Sequence, residues 1–385
     1  MRLVIIAHVF GFNDGQGRVN FEVAQAAVKA GLQVTLVGQS CDDVLLRDGC
    51  ARFVQFERSK LPTQSLKNIS FALRSARWLR NHRHEFDLIQ ANGFITWGAV
   101  DIVAAHFVHS AWLKHPNYPF RSLKRPYQLY QRLHTIFNAW QERKVYRQAK
   151  KVIAVSRKTA REVEALGLEP SRVVVIYNGV DVDAFHPGVS ERAHFGLPQD
   201  LPLAAFVGDL RTPRKNLDVV LNSMKWLPFL QLVVAGDTDG SRYPDMTKQL
   251  GIADRVHFIG KTTEVARMMR SVDLFILPSR YEAHPLVVME AMASGLPVIA
   301  SSGIAALEDF RDKIAILEDH EDPIALAGII AGLLESPSRM RALGSAACDF
   351  AKDMTWGNTA SKYLEVYEEV LGSPSRIESS LSKLA

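Results

Sequence analysis

Short apolar runs alternate with amphipathic stretches along the first half of the chain. Seven runs rich in apolar and β-branched residues predict strands, at Leu3–Ile6, Gln33–Val37, Phe53–Phe56, Leu88–Gln90, Asp101–Ala105, Val152–Val155 and Val173–Ile176. Between the first two, apolar residues recur at helical spacing over Val19–Ala30, and Gly31 is suited to end that helix. A strand, a helix and a second strand in this order predict a βαβ unit and a parallel sheet.

The alternation stops in a polar segment, residues 181–200, and then begins again. Strands are expected in the second half at Leu203–Val207, Leu232–Ala235, Val256–Ile259, Leu274–Leu277 and Pro297–Ala300. Trp356–Leu371 has the pattern of a closing amphipathic helix. We therefore expect an α/β protein with two Rossmann-like, doubly wound parallel-sheet domains facing a central cleft. The expected domains are residues 1–185 and 186–355, with the C-terminal helix, residues 356–385, crossing back onto the first.

The composition is that of an ordinary globular protein, because 47% of the 385 residues are hydrophobic and 23% are charged. The three cysteines, Cys41, Cys50 and Cys348, are too few and too widely spaced for a disulfide framework or a metal cluster. The apolar start, residues 1–10, is short and contains a histidine, so it indicates a buried strand rather than a signal peptide. These features favour a cytoplasmic protein without a membrane span.

The net charge of +5 conceals a basic first half and an acidic second half. Residues 1–190 contain 26 Lys and Arg against 15 Asp and Glu, whereas residues 191–385 contain 20 against 26. The excess of positive charge in the first half is concentrated in residues 112–151, where ten Lys and Arg alternate with aromatic residues and Glu142 is the only acid. This pattern is compatible with a helix on an anionic membrane, with a grip on single-stranded nucleic acid, and with a packed helix that has a solvated basic face.

Residues 278–300 carry the strongest chemical pattern, which predicts strand, loop, helix, turn and strand. Glu282 falls in the loop and Pro285 suits the first helical turn, so the amides of Leu286 and Val287 would point out of the positive helix end. Glu290 follows about 7.5 Å along the axis, where it could accept hydrogen bonds from a ribose. The segment is suited to a nucleoside diphosphate, although the spacing alone fits ordinary helix glutamates equally well.

A second loop with chemical potential, residues 208–216, follows the first strand of the second domain. Arg211, Arg214 and Lys215 could neutralise a leaving diphosphate without a metal, or they could form a solvated basic loop.

The first domain contributes a glycine-containing loop and a histidine pair. In the loop, residues 11–18, Gly15 and Gly17 could bring backbone amides close to a phosphate or an acceptor. The loop lacks the full dinucleotide fingerprint, because Asn20 stands three residues after Gly17. His106 and His109 end a strand, with no neighbouring acid or cysteine to complete a metal site.

The segment PSRYEAHPLVVMEAMASGLPVIAS resembles the Glu-x7-Glu signature of retaining GT-B glycosyltransferases of family 4. The resemblance extends in order over nearly the whole chain, through GQGRVNFEVAQAAVKAGLQVTLV, FDLIQANG, VAAHFVH, KKVIAVSRKTAREV, VIYNGVDVDAF, FVGDLRTPRKNLDVVL, VVAGDTDG and RVHFIG. It implies a GT-B fold in which Glu282 contacts the donor sugar, Glu290 binds the donor ribose and Lys215 faces the diphosphate. His106 would then hydrogen-bond the donor sugar.

The resemblance also implies further donor contacts and reveals departures. Gly15, Gly17, Arg211, Arg214, Leu286 and Val287 would lie around the diphosphate, and Gly236, Phe258 and Ile259 around the nucleoside. Asp209 stands where the family usually has an arginine, so Arg211 or Arg214 would have to supply that charge. His284 and Pro285 replace residues that are aromatic and glycine in many relatives, which leaves the sugar open.

The function implied is retaining, metal-independent transfer of a hexose from a UDP or GDP sugar to a hydroxyl acceptor. No cofactor is expected. The acceptor would be a glycan or a lipid-linked intermediate of cell-surface polysaccharide or lipopolysaccharide synthesis. Residues 112–151 would then contact the inner face of the cell membrane rather than nucleic acid. Two alternatives stay open: an NAD-dependent oxidoreductase of the same fold class, and a non-catalytic module that binds membranes or nucleic acid.

Overall fold

A computed structural model describes residues 1–12, 14–47, 49, 51–121 and 125–372. Asn13 of the N-terminal loop, Cys50, Lys124 of the basic stretch and the expected helix beyond residue 372 lie outside the described residues. The chain divides into two compact units, one formed by Met1–Gly179 with Trp356–Ala385 and the other by Val180–Thr355. The boundary between the units lies a few residues before the expected domain boundary at residues 185/186. Val180 already belongs to the second unit, where its amide donates to the Met354 carbonyl (2.7 Å).

The first unit is built on a seven-stranded parallel sheet. Its described strands are β1 (Arg2–Ile6), β2 (Val9–Phe10), β3 (Gln33–Gly38), β4 (Ser40–Cys41), β5 (Ala51–Gln55), β6 (Leu88–Asn92), β7 (Ile102–Ala105), β8 (Lys151–Ala154) and β9 (Val173–Val175). The sheet order is β5-β3-β1-β6-β7-β8-β9, and β2 and β4 pair separately. The strand order therefore reverses between β1 and β6.

Helices cover both faces of this sheet. The first five are α1 (Gly15–Lys29), α2 (Gln64–His82), α3 (His109–Lys114), α4 (Pro126–Gln148) and α5 (Arg157–Glu164). Side chains of β1 alternate between the two faces: Leu3 and Ile5 join the core beneath α1, and Val4 and Ile6 join the core beneath α2 and α4. Helix α1 begins earlier than the predicted Val19, because the Asp14 carboxylate accepts from the Gly17 amide and caps its first turn.

The second unit repeats the architecture with a six-stranded parallel sheet of order β12-β11-β10-β13-β14-β15. Its strands are β10 (Leu203–Val207), β11 (Gln231–Ala235), β12 (Val256–Gly260), β13 (Leu274–Leu277), β14 (Val298–Ser301) and β15 (Ala315–Leu317). Its helices are α6 (Leu217–Ser223), α7 (Tyr243–Gln249), α8 (Val265–Met269), α9 (Leu286–Ala293), α10 (Leu307–Phe310), α11 (Pro323–Leu334) and α12 (Pro337–Lys352).

The last described helix, α13 (Trp356–Leu371), belongs to the first unit. Tyr363, Leu364 and Tyr367 are buried in the core beneath α1, and the Tyr367 hydroxyl donates to Gln90 Oε1 (2.6 Å). Every strand predicted from the sequence is present, with ends within about two residues, and the expectation of two doubly wound sheets is confirmed. Among the described helices, none combines the length and apolar character needed to cross a membrane.

Candidate functional site

The sheet topology of the second unit selects one place for a ligand. The chain builds β10, β11 and β12 outward in one direction, then returns to place β13 on the other side of β10. The loops that follow β10 and β13 therefore leave the carboxyl edge of the sheet in opposite directions, which is where doubly wound proteins bind ligands. These two loops are the ones that carry the predicted basic residues and Glu282.

Glu282 lies between two cations of the β10 loop. Its Oε1 is 3.2 Å from Lys215 Nζ and its Oε2 is 3.3 Å from Arg214 NH1. Burial of the Glu282 carboxyl acts to raise its pKa, but the Lys215 and Arg214 charges act in the opposite direction and prevail. The pKa of Glu282 therefore lies below its ordinary value, and the cluster contains two cations and one carboxylate at neutral pH.

The main chain fixes where the Glu282 side chain can point. The Glu282 amide donates to the Gly303 carbonyl (3.1 Å), and the Glu282 carbonyl accepts from the Ala305 amide (2.6 Å). A Cβ on Gly303 would lie 2.2 Å from the Ser279 carbonyl oxygen, so this close approach requires glycine. The loop after β14 thus holds Glu282 toward the cations.

Lys215 reaches Glu282 by lying across a glycine. A Cβ on Gly208 would stand 2.1 Å from Lys215 Cδ, so only glycine leaves room for the stem of the lysine. The predicted nucleoside contact Gly236 follows β11 beside it, and a Cβ there would lie 2.3 Å from the Gly208 carbonyl oxygen. The other two predicted nucleoside contacts, Phe258 and Ile259, are partly buried near the end of the next strand, β12.

The turn before Lys215 depends on Arg280, a residue that no sequence motif points to. Arg280, in the β13 loop, donates from its backbone amide to the Arg214 carbonyl (2.8 Å) and from its guanidinium to the Pro213 carbonyl. The carboxylate of Glu321 accepts two hydrogen bonds from the same guanidinium, at 2.5 and 2.9 Å. An arginine two residues before Glu282 was the available signal, but only the fold reveals what it contacts.

The two arginines of the β10 loop are placed differently. Arg211 is exposed and its Nε donates to Asp209 Oδ1 (3.0 Å), the residue found where the family usually has an arginine. Arg214 instead shares Glu282 with Lys215. The structure thus brings Arg214 to the cluster, while Arg211 is paired with Asp209.

Helix α9 begins one residue later than expected. Pro285 has extended backbone angles (φ −72°, ψ 120°) and precedes the helix, whereas the sequence pattern predicts it in the first turn. Its carbonyl accepts from the Val288 amide (3.2 Å), which leaves the amides of Leu286 and Val287 at the helix start. Glu290 lies one turn further along and is partly buried.

The predicted residues of the first unit lie at the carboxyl edge of its own sheet. Gly15 and Gly17 are in the first turn of α1, and a Cβ on Gly17 would lie 2.8 Å from the Gly11 carbonyl oxygen. His106 follows β7 directly, and its Nε2 is shielded from solvent without a hydrogen-bond partner among the described residues. Burial lowers the pKa of His106 to about 4, so the imidazole is neutral at physiological pH.

A small cavity lies at the β1/β6 switch point, and its lining includes the polar side chains of His8, Asp14, Gln16, Asn20 and Asn92. Asn92 donates to the Asn20 side chain (2.8 Å), and Asn20 donates to the Val9 carbonyl (3.0 Å). In the part of the chain that the structure describes, His8 Nδ1 is buried and has no hydrogen-bond partner, and burial lowers the pKa of this histidine to about 4.

His109 has a structural role that the sequence did not reveal. The carboxylate of Glu142 is fully buried and accepts from both the backbone amide (2.8 Å) and Nδ1 (2.9 Å) of His109. The only acid of the basic stretch therefore caps the start of α3. Within the described residues, no group of three or more His, Cys, Asp or Glu side chains is arranged to hold a metal ion.

Comparison with known proteins gives two adjoining family matches. The family model for Glycosyltransferase Family 4 matches residues 13–184, and the one for Glycosyl transferases group 1 matches residues 190–349. Curated relatives include D-inositol 3-phosphate glycosyltransferases of Mycobacterium tuberculosis and Mycobacterium bovis, each 35% identical over 246 residues. That match covers 60% of this chain and 51% of each relative, so it spans about half the length of the curated relatives.

Solved structures resemble the chain over almost its full length. Sucrose-phosphate synthase from Thermosynechococcus elongatus superposes with a TM-score of 0.82 at 18% identity, over 96% of this chain and 99% of that one. WaaG, a glycosyltransferase involved in lipopolysaccharide biosynthesis, superposes with a TM-score of 0.79 at 17% identity, over 94% of this chain and 99% of that one. Anabaena HepE, solved with UDP and glucose, superposes with a TM-score of 0.70 at 19% sequence identity, over 96% of this chain and 99% of that one.

At these identities the structural likeness establishes the fold, which is GT-B. The two family models supply the sequence evidence, and together they account for most of the chain. The chain therefore contains a Glycosyltransferase Family 4 domain followed by a Glycosyl transferases group 1 domain.

Proposed function

We propose that this protein is a retaining, metal-independent glycosyltransferase that moves a hexose from a UDP or GDP sugar to a hydroxyl acceptor. The observation that carries the proposal is the cluster of Lys215, Arg214 and Glu282 at the switch point of the second unit. Two cations and one buried carboxylate suit a ligand with an anionic diphosphate beside a sugar rich in hydroxyl groups. The complex of HepE with UDP and glucose supports a donor of this class.

In the proposed reaction, the bond between the anomeric carbon and the phosphate oxygen breaks while the acceptor oxygen bonds to that carbon. The acceptor proton passes to the departing phosphate. Lys215, Arg214 and the amides of Leu286 and Val287 stabilise the charge that develops on the diphosphate. Because the pKa of Glu282 is lowered, its carboxylate accepts hydrogen bonds from the donor sugar and does not supply a proton.

The neutral side chain of His106 would offer the sugar a hydrogen bond without adding a charge. Glu290 would bind the ribose, and the segment around Gly236, Phe258 and Ile259 the base. Arg214 would replace the family arginine missing at position 209, since Arg211 already pairs with Asp209. We place the acceptor, a glycan or a lipid-linked intermediate of cell-surface polysaccharide synthesis, on the first unit. The protein would work at the cytoplasmic face of the membrane.

The test is a thermal-unfolding screen of the full chain with UDP, GDP, ADP and NAD. A ligand at 100 times its Kd stabilises the protein by about 2.7 kcal/mol, enough to raise Tm by several degrees. We expect one nucleoside diphosphate to raise Tm in the wild type, and Lys215→Ala to abolish the shift. Lys248→Ala is the matched control, because Lys248 pairs with Asp245 on the surface of the same unit. A shift with NAD alone would refute the proposal and support the oxidoreductase.

A further inference from the structure

Helix α4 exposes an apolar stripe to solvent. Leu129, Leu133, Ile136 and Trp140 are spaced i, i+4, i+7 and i+11, so their side chains fall within about 60° of one another around the helix. All four are exposed, Leu133 by 56% and Trp140 by 59%. The opposite face of α4 packs onto the first unit through Val145 and Tyr146. An amphipathic helix normally buries its apolar face, whereas α4 has a second apolar face that no described residue of this chain covers.

Cations flank the stripe. Arg125, Arg132, Arg143 and Lys144 fall within about 70° of its centre line, and the Lys144 ammonium lies 6.0 Å from the centroid of the Trp140 ring. Glu142, the only acid between residues 112 and 151, is fully buried and faces α3. The outward surface of α4 therefore carries positive charge and apolar groups but no carboxylate.

The start of α2 extends this surface. Ser65 Oγ lies 2.7 Å from His134 Nδ1 and 3.2 Å from the Tyr130 hydroxyl, which joins the beginning of α2 to α4. Leu61 and Leu66, on either side of that junction, are exposed. Helix α2 contains four Lys and Arg residues and no acid. Both helices thus present the same chemistry where they meet.

We propose that this surface, formed by the exposed face of α4 and the start of α2, docks the protein onto an anionic lipid bilayer. Aliphatic side chains with an indole at one end suit the boundary between headgroups and acyl chains, and the flanking cations suit lipid phosphates. Single-stranded nucleic acid would be gripped by stacked aromatic rings, whereas three of the four stripe residues are aliphatic. A second copy of the chain would bring two cationic faces together.

The experiment uses the full chain and vesicles, with flotation as the readout. Wild type is expected to float with vesicles of phosphatidylglycerol and phosphatidylcholine, to bind pure phosphatidylcholine far more weakly, and to lose binding at about 0.5 M salt. Arg143→Gln with Lys144→Gln should weaken partitioning roughly 25-fold, since each cation near an anionic surface contributes about fivefold. Leu133→Ser with Trp140→Ser, which keeps every charge, should weaken it by at least about tenfold.

Trp226→Ser is the matched control, because Trp226 is an indole of the second unit that is 50% exposed. It should leave vesicle binding unchanged, and circular dichroism should show every variant folded, since all the substituted side chains are exposed. Absence of wild-type binding to anionic vesicles at low salt overturns the proposal. A second result would also overturn it: Leu133→Ser with Trp140→Ser keeps vesicle binding but abolishes binding to a single-stranded oligonucleotide. The same holds if this double variant keeps vesicle binding but abolishes self-association in sedimentation velocity. Nucleotide-induced Tm shifts in the same variants report separately on the proposed transferase site.

Discussion

Replacing Glu282 by glutamine should lower stability and strengthen binding of the nucleoside diphosphate product. The carboxylate lies 3.2 Å from Lys215 Nζ and 3.3 Å from Arg214 NH1, and it is buried. At 3.2 Å and an effective dielectric constant of about 20, each ion pair is worth ~5 kcal/mol before desolvation. Because the Arg214 side chain is 35% exposed, we expect a smaller net loss, about 2–3 kcal/mol in the free energy of unfolding.

The same substitution removes a negative charge from beside the proposed diphosphate site. One unit charge about 6 Å away, at an effective dielectric constant of about 40, opposes an anion by ~1.4 kcal/mol. Glu282→Gln should therefore bind UDP or GDP about tenfold more tightly, as measured by isothermal titration calorimetry. Sugar transfer should nevertheless fall by at least about tenfold, because a neutral amide accepts hydrogen bonds from sugar hydroxyls more weakly than a carboxylate.

The stability difference should also depend on pH. The pKa of Glu282 is lowered in the folded protein, so the ionised carboxylate stabilises the fold fully above the unfolded pKa of about 4.3. That contribution is lost as the pH falls further, toward and through the folded pKa. The difference in Tm between wild type and Glu282→Gln should therefore shrink only below about pH 4.

Glu191→Gln serves as the control, since Glu191 pairs with Arg267 and Arg270 elsewhere in the second unit. It should leave nucleotide affinity unchanged. If Glu282→Gln instead weakens nucleotide binding as much as Lys215→Ala does, the carboxylate does not oppose the diphosphate. The electrostatic reasoning would then be wrong.

Three further substitutions test neighbouring parts of the structure. Gly208→Ala should displace the stem of Lys215, whose Cδ would lie 2.1 Å from the new Cβ, and should raise the Kd for nucleotide in calorimetry. It should lower Tm less than Glu282→Gln does, because Arg214 still pairs with Glu282. Arg280→Met should release the turn before Lys215 and lower kcat more than it raises KM, as steady-state kinetics would report. Tyr367→Phe should lower the free energy of unfolding by about 1–2 kcal/mol in denaturant titration, because the buried Gln90 side chain loses a 2.6 Å hydrogen bond.

The order of strands and helices could be predicted from local patterns because each element has its own signal. The apolar run of β1 and the helical spacing of α1 depend only on residues close in sequence. The short edge strand β15 was missed, since three residues carry too little periodicity to identify a strand. Local patterns also placed Glu282 in a loop and the amides of Leu286 and Val287 at a helix start.

The sequence by itself determined the fold class, the family resemblance and the segments that carry chemistry. Only the tertiary structure decided which groups meet. Lys215 and Glu282 are far apart in the chain and lie 3.2 Å apart because the strand order places β13 beside β10. The basic stretch shows the same limit: its composition is readable, but Trp112 and Tyr146 are buried while Trp140 is exposed. Periodicity describes the faces of a helix, and packing against the sheet decides which face water contacts.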